Sequence, residues 1–173
     1  EMKERIGLIR PMTFQPINHR KPATLIIRRA AHSDLAPLAD LFDDYRQFYE
    51  QASDLAGARG FLADRLTQQD SVIFVAEDAN ALLGFTQLYP SFSSTRMTRI
   101  FILNDLFVSP RARKKGVAAA LLSTAADYAE GESAIRLTLS TAHSNAAAPA
   151  LYQREVWLRD EQFHSYNLTL PRH

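Results

Sequence analysis

Residues 106–122 have the composition of an anion-binding loop. Their pattern predicts a strand, a tight loop and then a helix. Gly116 lets the backbone approach a ligand closely, because glycine carries no side chain. The unpaired N–H groups at the start of such a helix would lie beside Arg113, Lys114 and Lys115. A helix start with this charge favours phosphate.

Two common phosphate loops are excluded for this stretch. A nucleotide-binding P-loop would need Gly-Lys-Ser/Thr after a four-residue gap, and a dinucleotide fingerprint would need several glycines. Gly116 is the only glycine in the loop. A plain strand-to-helix connection with a solvated basic tip remains the alternative to an anion site.

A second stretch, residues 137–152, ends on a tyrosine that could donate a proton. Asn145 is expected to cap a short helix, with Tyr152 two turns further along. The ordinary pKa of tyrosine, about 10, lies above the thiol value of about 8.5, so a phenol can protonate a thiolate. The alternative is a helix cap followed by a core aromatic residue.

A third feature interrupts an otherwise apolar strand, residues 100–108. Asn104 and Asp105 stand in the middle of it. Burying such groups is unfavourable unless they are hydrogen bonded or used, so Asp105 is a candidate base, with a satisfied structural carboxylate as the alternative. Alternation predicts that Asn104 points to the opposite face, where it could hold a water molecule. Glu77 and His143 are weaker candidates for the base.

The elements that must position these residues follow from periodicity and turn residues. The predicted order is β-α-α-β-β-β-α-β-α-β-β, and the strand–helix–strand unit around 100–140 implies a parallel pair within a mixed sheet. The fold class is therefore α/β or α+β, with helices on both faces. The predicted strands span 24–28, 71–77, 82–89, 100–108, 135–140, 157–161 and 164–170, with a polar loop at 90–95. The predicted helices begin near 34, 58, 116 and 145.

Composition restricts the chemistry further. The 173 residues include no cysteine, which excludes a disulfide framework, a cysteine nucleophile and a thiolate metal site; we expect no metal site at all. Residues 1–30 carry seven basic and two acidic side chains, whereas residues 31–110 carry five basic and eleven acidic ones. This distribution argues against a broad nucleic-acid surface. We expect one domain, 23–173, behind an extension, 1–22, and, with no bilayer-length apolar stretch or secretory pattern, a cytoplasmic protein without a membrane partner.

Together, the two motifs resemble those of the GNAT superfamily of N-acetyltransferases, and the resemblance covers about 23–173. The family's Arg/Gln-x-x-Gly-x-Gly/Ala motif corresponds to residues 113–118, preceded by Val108-x-Pro110. Its second motif, Asn-x-x-Ala-x-x-Leu-Tyr, corresponds to residues 145–152. One departure is that Val156-Trp157 replaces the usual Gly-Phe, although valine does not suit the left-handed turn that glycine favours.

The resemblance implies a GNAT-like central sheet of six to seven strands, in which the parallel pair splays apart, and acetyl-CoA as co-substrate. The pantetheine arm would pair with the freed strand, and the pyrophosphate would lie on the amides of residues 114–119. A backbone N–H near residue 106 or 107 would polarise the thioester carbonyl. The implied donor-binding residues are Leu106, Phe107, Val108, Arg113, Lys114, Lys115, Gly116, Val117, Ala118, Ala119 and Asn145.

The resemblance further implies direct attack of an amine on the thioester, with Tyr152 protonating the departing thiolate. Asp105, with Asn104 beside it, would bind or deprotonate the amine. The acceptor walls would be Tyr45, Tyr49, Tyr89 and Phe92. The acidic excess of 31–110 favours a small cationic acceptor. A protein amine, another acyl-CoA donor and a non-catalytic acyl-CoA-binding regulatory module remain alternatives, and a homodimer is possible.

Overall fold

The computed structural model describes residues 24–79 and 81–171, so the predicted extension, 1–22, lies outside the described residues. The elements largely follow the predicted order. The strands are β1 (Ile26–Arg29), β2 (Val72–Asp78), β3 (Ala81–Ser93), β4 (Thr98–Val108) and β5 (Leu137–Leu139). The helices are α1 (Leu35–Phe48), α2 (Leu55–Gln68), α3 (Val117–Gly131) and α4 (Ala148–Arg154), with short 3-10 turns at His32–Asp34 and Pro110–Ala112.

The five described strands form one mixed sheet in the order β1-β2-β3-β4-β5. The first four are antiparallel neighbours, and β5 pairs with β4 in parallel. One core contains α3 and the other contains α1 and α2. The predicted fold class, with a parallel pair and helices on both faces, is confirmed.

The strand count differs from the predicted six to seven. The closing strands predicted at 157–161 and 164–170 are absent, and this segment is irregular and exposed. Leu158 is 93% exposed and Tyr166 is 89% exposed. Alternation indicates a strand only where a neighbouring edge can satisfy the backbone, and β5 offers an edge of just three residues.

The loop predicted at 90–95 is also wrong. β3 continues to Ser93 and remains paired with β4, so that Pro90 lies opposite Phe101 and Ser93 opposite Thr98. The turn itself occupies 94–97. A long partner strand therefore overrides the local turn signal of Pro90 and the serines after it, as tertiary pairing commonly does.

A β-bulge in β4 determines which face each side chain of this strand occupies. Gln87 of β3 lies opposite Asp105, and Leu88 lies opposite Leu103, which leaves Asn104 as the extra residue. Before the bulge, Leu103 packs into the α3 core. After it, Phe107 packs into the α1 and α2 core, although both residues are odd-numbered. One extra residue reverses the alternation, as expected for a bulge, and turns Asp105 away from α3.

Two glycines test the packing of this sheet. A Cβ atom added at Gly84 would lie 2.5 Å from the carbonyl oxygen of Phe107, so β3 and β4 would have to separate. At Gly60, in the exposed part of α2, an added Cβ would meet nothing within 4 Å. We expect Gly84→Ala to lower the free energy of unfolding by about 1–3 kcal/mol. Gly60→Ala should raise it by about 0.5–1 kcal/mol, because alanine is the better helix former.

Urea unfolding of both variants beside the unmodified chain measures the two effects. Equal stability of the Gly84→Ala variant and the unmodified chain would show that β3 and β4 can separate without cost. The Gly60→Ala variant serves as the control for the chemical change itself.

Candidate active site

The parallel strands part at the bulge. β5 pairs with β4 only from Phe101 to Leu103, whereas β4 continues for five more residues to Val108. Within the described residues, the edge of β4 from Asn104 to Val108 therefore has no neighbouring strand on the β5 side. The predicted splayed pair is present, and it leaves backbone groups of β4 available for a ligand in an extended conformation.

The loop that follows β4 is built to expose its backbone. After the 3-10 turn, Lys114 adopts a φ of +60° and Gly116 a φ of +78°. These left-handed conformations turn the chain sharply into α3. Ala112 (1% exposed) and Val117 (3% exposed) hold the two ends of the loop in the core.

The start of α3 carries free N–H groups. The first helical hydrogen bond runs from the N–H of Ala120 to the carbonyl of Gly116. The amides of Val117, Ala118 and Ala119 precede it and have no acceptor within the helix. The loop before them brings exposed Lys115 and its basic neighbours to the same helix end, which is a favourable arrangement for an anion.

Arg113 has a different role in the loop from its lysine neighbours. Its Nε donates to the carbonyl of Val108 at 3.2 Å. Its guanidinium lies 5.9 Å from the ring centroid of Phe48, at the end of α1. Sequence reasoning did not identify Phe48, because no local signal indicates that the end of α1 meets this loop. The contact links the basic loop to the helix that carries Tyr45 and ends just before Tyr49.

Asp105 is a buried carboxylate, 5% exposed. Burial raises the pKa of its carboxyl group, whereas the Tyr45 hydroxyl and the Asn104 amide, which both face it, act in the opposite direction. Asn104, predicted to point to the opposite face, instead donates from Nδ2 to Oδ1 of Asp105 at 3.2 Å. The bulge explains the difference, because it breaks the alternation on which that prediction depended.

Tyr45 and Tyr49, one turn apart on and beyond α1, line the same region. The Tyr45 ring packs at 5.8 Å from Phe85 and 6.1 Å from Phe107. Its own pKa is raised by burial and by the charge of Asp105. The ring centroids of Tyr45 and Tyr49 are 5.1 Å apart. The structure thus brings two of the predicted acceptor-wall residues together with Asp105.

The end of α1 is held by a second buried carboxylate, Asp43. It accepts hydrogen bonds from Ser53 Oγ at 2.6 Å and from the Asp54 N–H at 2.8 Å. These bonds lower the pKa of Asp43, the reverse of the shift at Asp105. Asp43 therefore fixes the connection to α2, and with it the position of Tyr49.

The other two predicted wall residues differ in their placement. Burial raises the pKa of Tyr89 to about 12, and Asp105 is near enough for its charge to raise this pKa further. Phe92 is 70% exposed and lies opposite Arg99, near the far end of the hairpin. Five residues of strand separate it from Gln87, roughly 17 Å. The structure does not bring Phe92 together with Asp105.

Tyr152 reaches the same region from α4. Burial raises the pKa of its hydroxyl, nearby Tyr49 raises it further, and Thr141 acts in the opposite direction. Asn145 does not cap α4 with its side chain. It donates instead to the Thr141 hydroxyl at 3.4 Å. Thr141 is therefore a site residue that the motif did not indicate.

Val156 takes the conformation that glycine has in the usual motif. Its φ is +66°, a region that costs a non-glycine residue roughly 1–2 kcal/mol. The next residue, Trp157, donates its N–H to the Tyr152 carbonyl at 2.9 Å, and the two rings lie 6.1 Å apart. The helix thus ends in a left-handed turn despite the valine, and Tyr152 remains packed.

The weaker candidates for a base lie elsewhere. Glu77 forms an ion pair with Arg28 at 2.6 Å. His143 occupies an exposed turn.

Within residues 24–79 and 81–171, no three histidine or acidic side chains group as metal ligands. None of the helices in that part of the chain is both long enough and apolar enough to cross a membrane.

Comparison with known proteins agrees with this architecture. The model of the acetyltransferase (GNAT) family matches residues 37–156. Uncharacterized N-acetyltransferase YhfO of Bacillus subtilis (strain 168) is 52% identical over 145 residues, which cover 84% of this chain and 97% of that protein. The crystal structure of a probable acetyltransferase superposes with a TM-score of 0.80 at 39% identity, covering 86% of this chain and 99% of that one.

A more distant structure shares the fold alone. The aminoglycoside N-acetyltransferase AAC(6′)-Iy, in complex with CoA, superposes with a TM-score of 0.73 at 16% identity, covering 86% of this chain and 97% of that one. The family model spans most of the described residues, and the open strand edge, the loop and the tyrosine helix all lie within it. The chain therefore belongs to the GNAT family of acetyltransferases.

Proposed function

We propose that this protein is an acetyl-CoA-dependent N-acetyltransferase that acetylates a primary amine of a small cationic acceptor by direct transfer. The observation that carries the proposal is the unpaired edge of β4 at residues 104–108, which includes a buried carboxylate and leads into a cationic loop. The structure of the fold relative AAC(6′)-Iy is a complex with CoA, which supports acetyl-CoA as the acetyl donor in this proposal.

The donor would occupy the open edge and the loop. The backbone of Leu106, Phe107 and Val108 would pair with the pantetheine arm, and one of its N–H groups would polarise the thioester carbonyl. The amides of residues 114–119 would bind the pyrophosphate. Asn145, which is hydrogen bonded to Thr141, would contact the donor from the other side of the opening.

The acceptor would lie between Asp105 and the tyrosines. An ammonium group is attracted both to a carboxylate and to aromatic faces, and Tyr45, Tyr49 and Tyr89 provide such faces near Asp105. This combination supports a cationic amine over a neutral one. Asp105, with its raised pKa, is suited to accept the proton that the ammonium must lose before it can attack.

Tyr152 would complete the transfer. The amine nitrogen forms a bond to the carbonyl carbon, the carbon–sulfur bond breaks, and the thiolate takes the Tyr152 proton. The raised pKa of Tyr152 supports this role, because the phenol stays protonated through the neutral pH range. Val156 was the only hint of the non-catalytic alternative, and the left-handed turn at that residue, which keeps Tyr152 packed, favours the catalytic proposal.

Release of CoA thiol with a panel of amines tests the activity. The panel should contain polyamines, aminoglycosides, amino acids and peptides, each with acetyl-CoA. Since the chain has no cysteine, a thiol reagent reports the product without background from the protein. Activity toward cationic amines alone is the expected result, and preference for peptide amines would redirect the proposal to a protein acceptor.

The first prediction concerns the loop. Gly116→Glu introduces a negative charge where phosphate is expected, and a Cβ atom added there meets nothing within 4 Å. We expect the calorimetric affinity for acetyl-CoA to fall at least about tenfold, or ~1.4 kcal/mol. Gly116→Lys is the matched control, because it shares the backbone strain at φ +78° and carries the opposite charge. Equal affinity of the two variants would contradict an anion site.

The second prediction concerns the leaving group. Tyr152→Phe keeps the ring but removes the proton donor, so the affinity for both substrates should hold while kcat falls about 10²-fold. The alkaline limb of the kcat profile should flatten. Tyr128→Phe makes the same deletion on the α3 side of the sheet, where Tyr128 packs on Phe74 and Phe101, and should leave the rate unchanged. A Tyr152→Phe rate within twofold of the unmodified enzyme would remove this tyrosine from the mechanism.

The third prediction concerns the base. Asp105→Asn should lower kcat/KM for the acceptor by about 10²-fold and leave acetyl-CoA affinity near normal. In the unmodified enzyme, the rate should fall as pH falls through the raised pKa of Asp105, because only the carboxylate accepts a proton.

The same substitution has an effect on stability. Because the pKa of Asp105 is raised on folding, its contribution to stability is greatest below the unfolded value and is lost as pH rises through the folded value. Asp105→Asn should remove this dependence and be at least as stable as the unmodified chain at pH 8. Urea unfolding at pH 5 and pH 8 measures it. Full turnover in Asp105→Asn would leave Asp105 as a structural carboxylate.

A further inference from the structure

Gln87 is a fully buried polar side chain beside Asp105. It is 0% exposed and lies directly opposite Asp105 in the pairing of β3 with β4. Its Nε2 donates to the hydroxyl of Ser71 at 2.8 Å. Its Oε1 has no hydrogen-bond partner among the residues that the structure describes.

The orientation of the amide does not change this imbalance. A serine hydroxyl can donate or accept, so Ser71 satisfies whichever end of the amide faces it. The other end is left unpaired in a fully buried position. Such groups in folded proteins are normally paired with an internal water molecule when no side chain is available. Gln87 therefore needs a further hydrogen-bond partner within the sheet, next to the buried carboxylate, and an internal water molecule would supply it.

Ser71 connects this point to a polar cavity. The cavity measures about 120 Å³ and is lined, among others, by Arg29, His32, Arg65, Gln69 and Ser71. That volume holds several water molecules. The cavity lies where β2 begins, beyond Gln87 when followed from Asp105. Buried polar groups thus extend from the candidate base to a water-accessible space.

The proposed reaction needs such a path. An ammonium acceptor and acetyl-CoA give an amide, CoA thiol and one free proton. The nitrogen loses two protons. One of them replaces the proton that Tyr152 gives to the thiolate, and the other goes to Asp105. That second proton must leave before the next turnover, and bound substrates would cover the open side of the site.

We propose that Gln87 and Ser71 are positioning residues that hold buried water beside Asp105 and so give this proton a route to the polar cavity. The inference rests on the proposed function, because it takes Asp105 as the base. Gln87 acts through the water that it holds and does not touch the substrate.

The groups that face Asp105 limit what else could titrate with it. They are Tyr45 from α1, Tyr89 from β3 and Asn104 from β4 itself. Tyr89 also lies near Arg65 and Asp70, which form an ion pair with each other at 2.8 Å. Both tyrosines stay neutral where Asp105 titrates, since their pKa values are raised. A shift in the acid limb of the rate profile therefore reports the surroundings of Asp105.

Gln87→Leu tests the inference with a side chain of similar size and no polar atom. Loss of the water removes a donor to the carboxylate, so the pKa of Asp105 should rise. The acid limb of kcat/KM for the fastest acceptor of the panel should then move to higher pH by about one unit, a tenfold lower rate at fixed pH on that limb. Ser71→Ala should move it in the same direction by less, and Ser93→Ala, on the exposed end of β3, should not move it.

A second measurement needs no acceptor. Carbon-13 resonances of the aspartate carboxyl groups, with the Asp105 signal assigned by its loss in Asp105→Asn, give the pKa directly in each variant. A folded Gln87→Leu or, where that variant does not fold, Ser71→Ala with an unchanged Asp105 pKa overturns the inference. That result, with a slow Asp105→Asn enzyme, would leave the proposed function standing. Full turnover in Asp105→Asn would instead remove the base role and the inference together.

Discussion

The extra residue in β4 is the constraint on which the site depends. By occupying a place with no partner on β3, Asn104 reverses the alternation of the strand. Phe101 and Leu103 therefore pack toward α3, whereas Asp105 and Phe107 turn toward α1. Pairing with β5 ends at the same position. A single local irregularity thus delivers a carboxylate beside the tyrosines at the point where the edge of the strand opens.

The two charged parts of the candidate site differ in their exposure to solvent. The basic loop is exposed, and its charge is reinforced by the free amides at the start of α3. The carboxylate of Asp105 is buried, and burial holds its pKa up. An anion that arrives from solvent suits the first environment, whereas a group that must accept a proton suits the second. Residues 106–108 separate the two along one strand.

The sequence was most informative where the structure is set by short-range interactions along the chain. The glycine before α3 and the two motifs indicated the loop and Tyr152, because turn and helix-start preferences depend on adjacent residues. The side of the strand occupied by Asn104 was predicted wrongly, since a bulge has no sequence signature in this apolar run. The closing strands predicted at 157–161 and 164–170 do not form, because β5 offers an edge of only three residues. The extended hairpin sets Phe92 apart from Asp105, and no local pattern indicated that β3 would continue so far. No local sequence pattern indicated Gln87 and Ser71, because their relevance depends on the hydrogen bond between Gln87 of β3 and Ser71, which directly precedes β2.

The unpaired edge of β4 has a consequence for aggregation of the protein in a crowded solution. Free strand edges are templates on which other extended chains can assemble, and proteins usually shield them. Here the edge would have to stay open for the proposed donor, so the proposed binding groove is also a point of aggregation hazard. A ligand lying along it would act as a removable strand and protect the fold in proportion to its concentration. The cellular supply of that ligand would thus govern how long the protein persists as well as how fast it works.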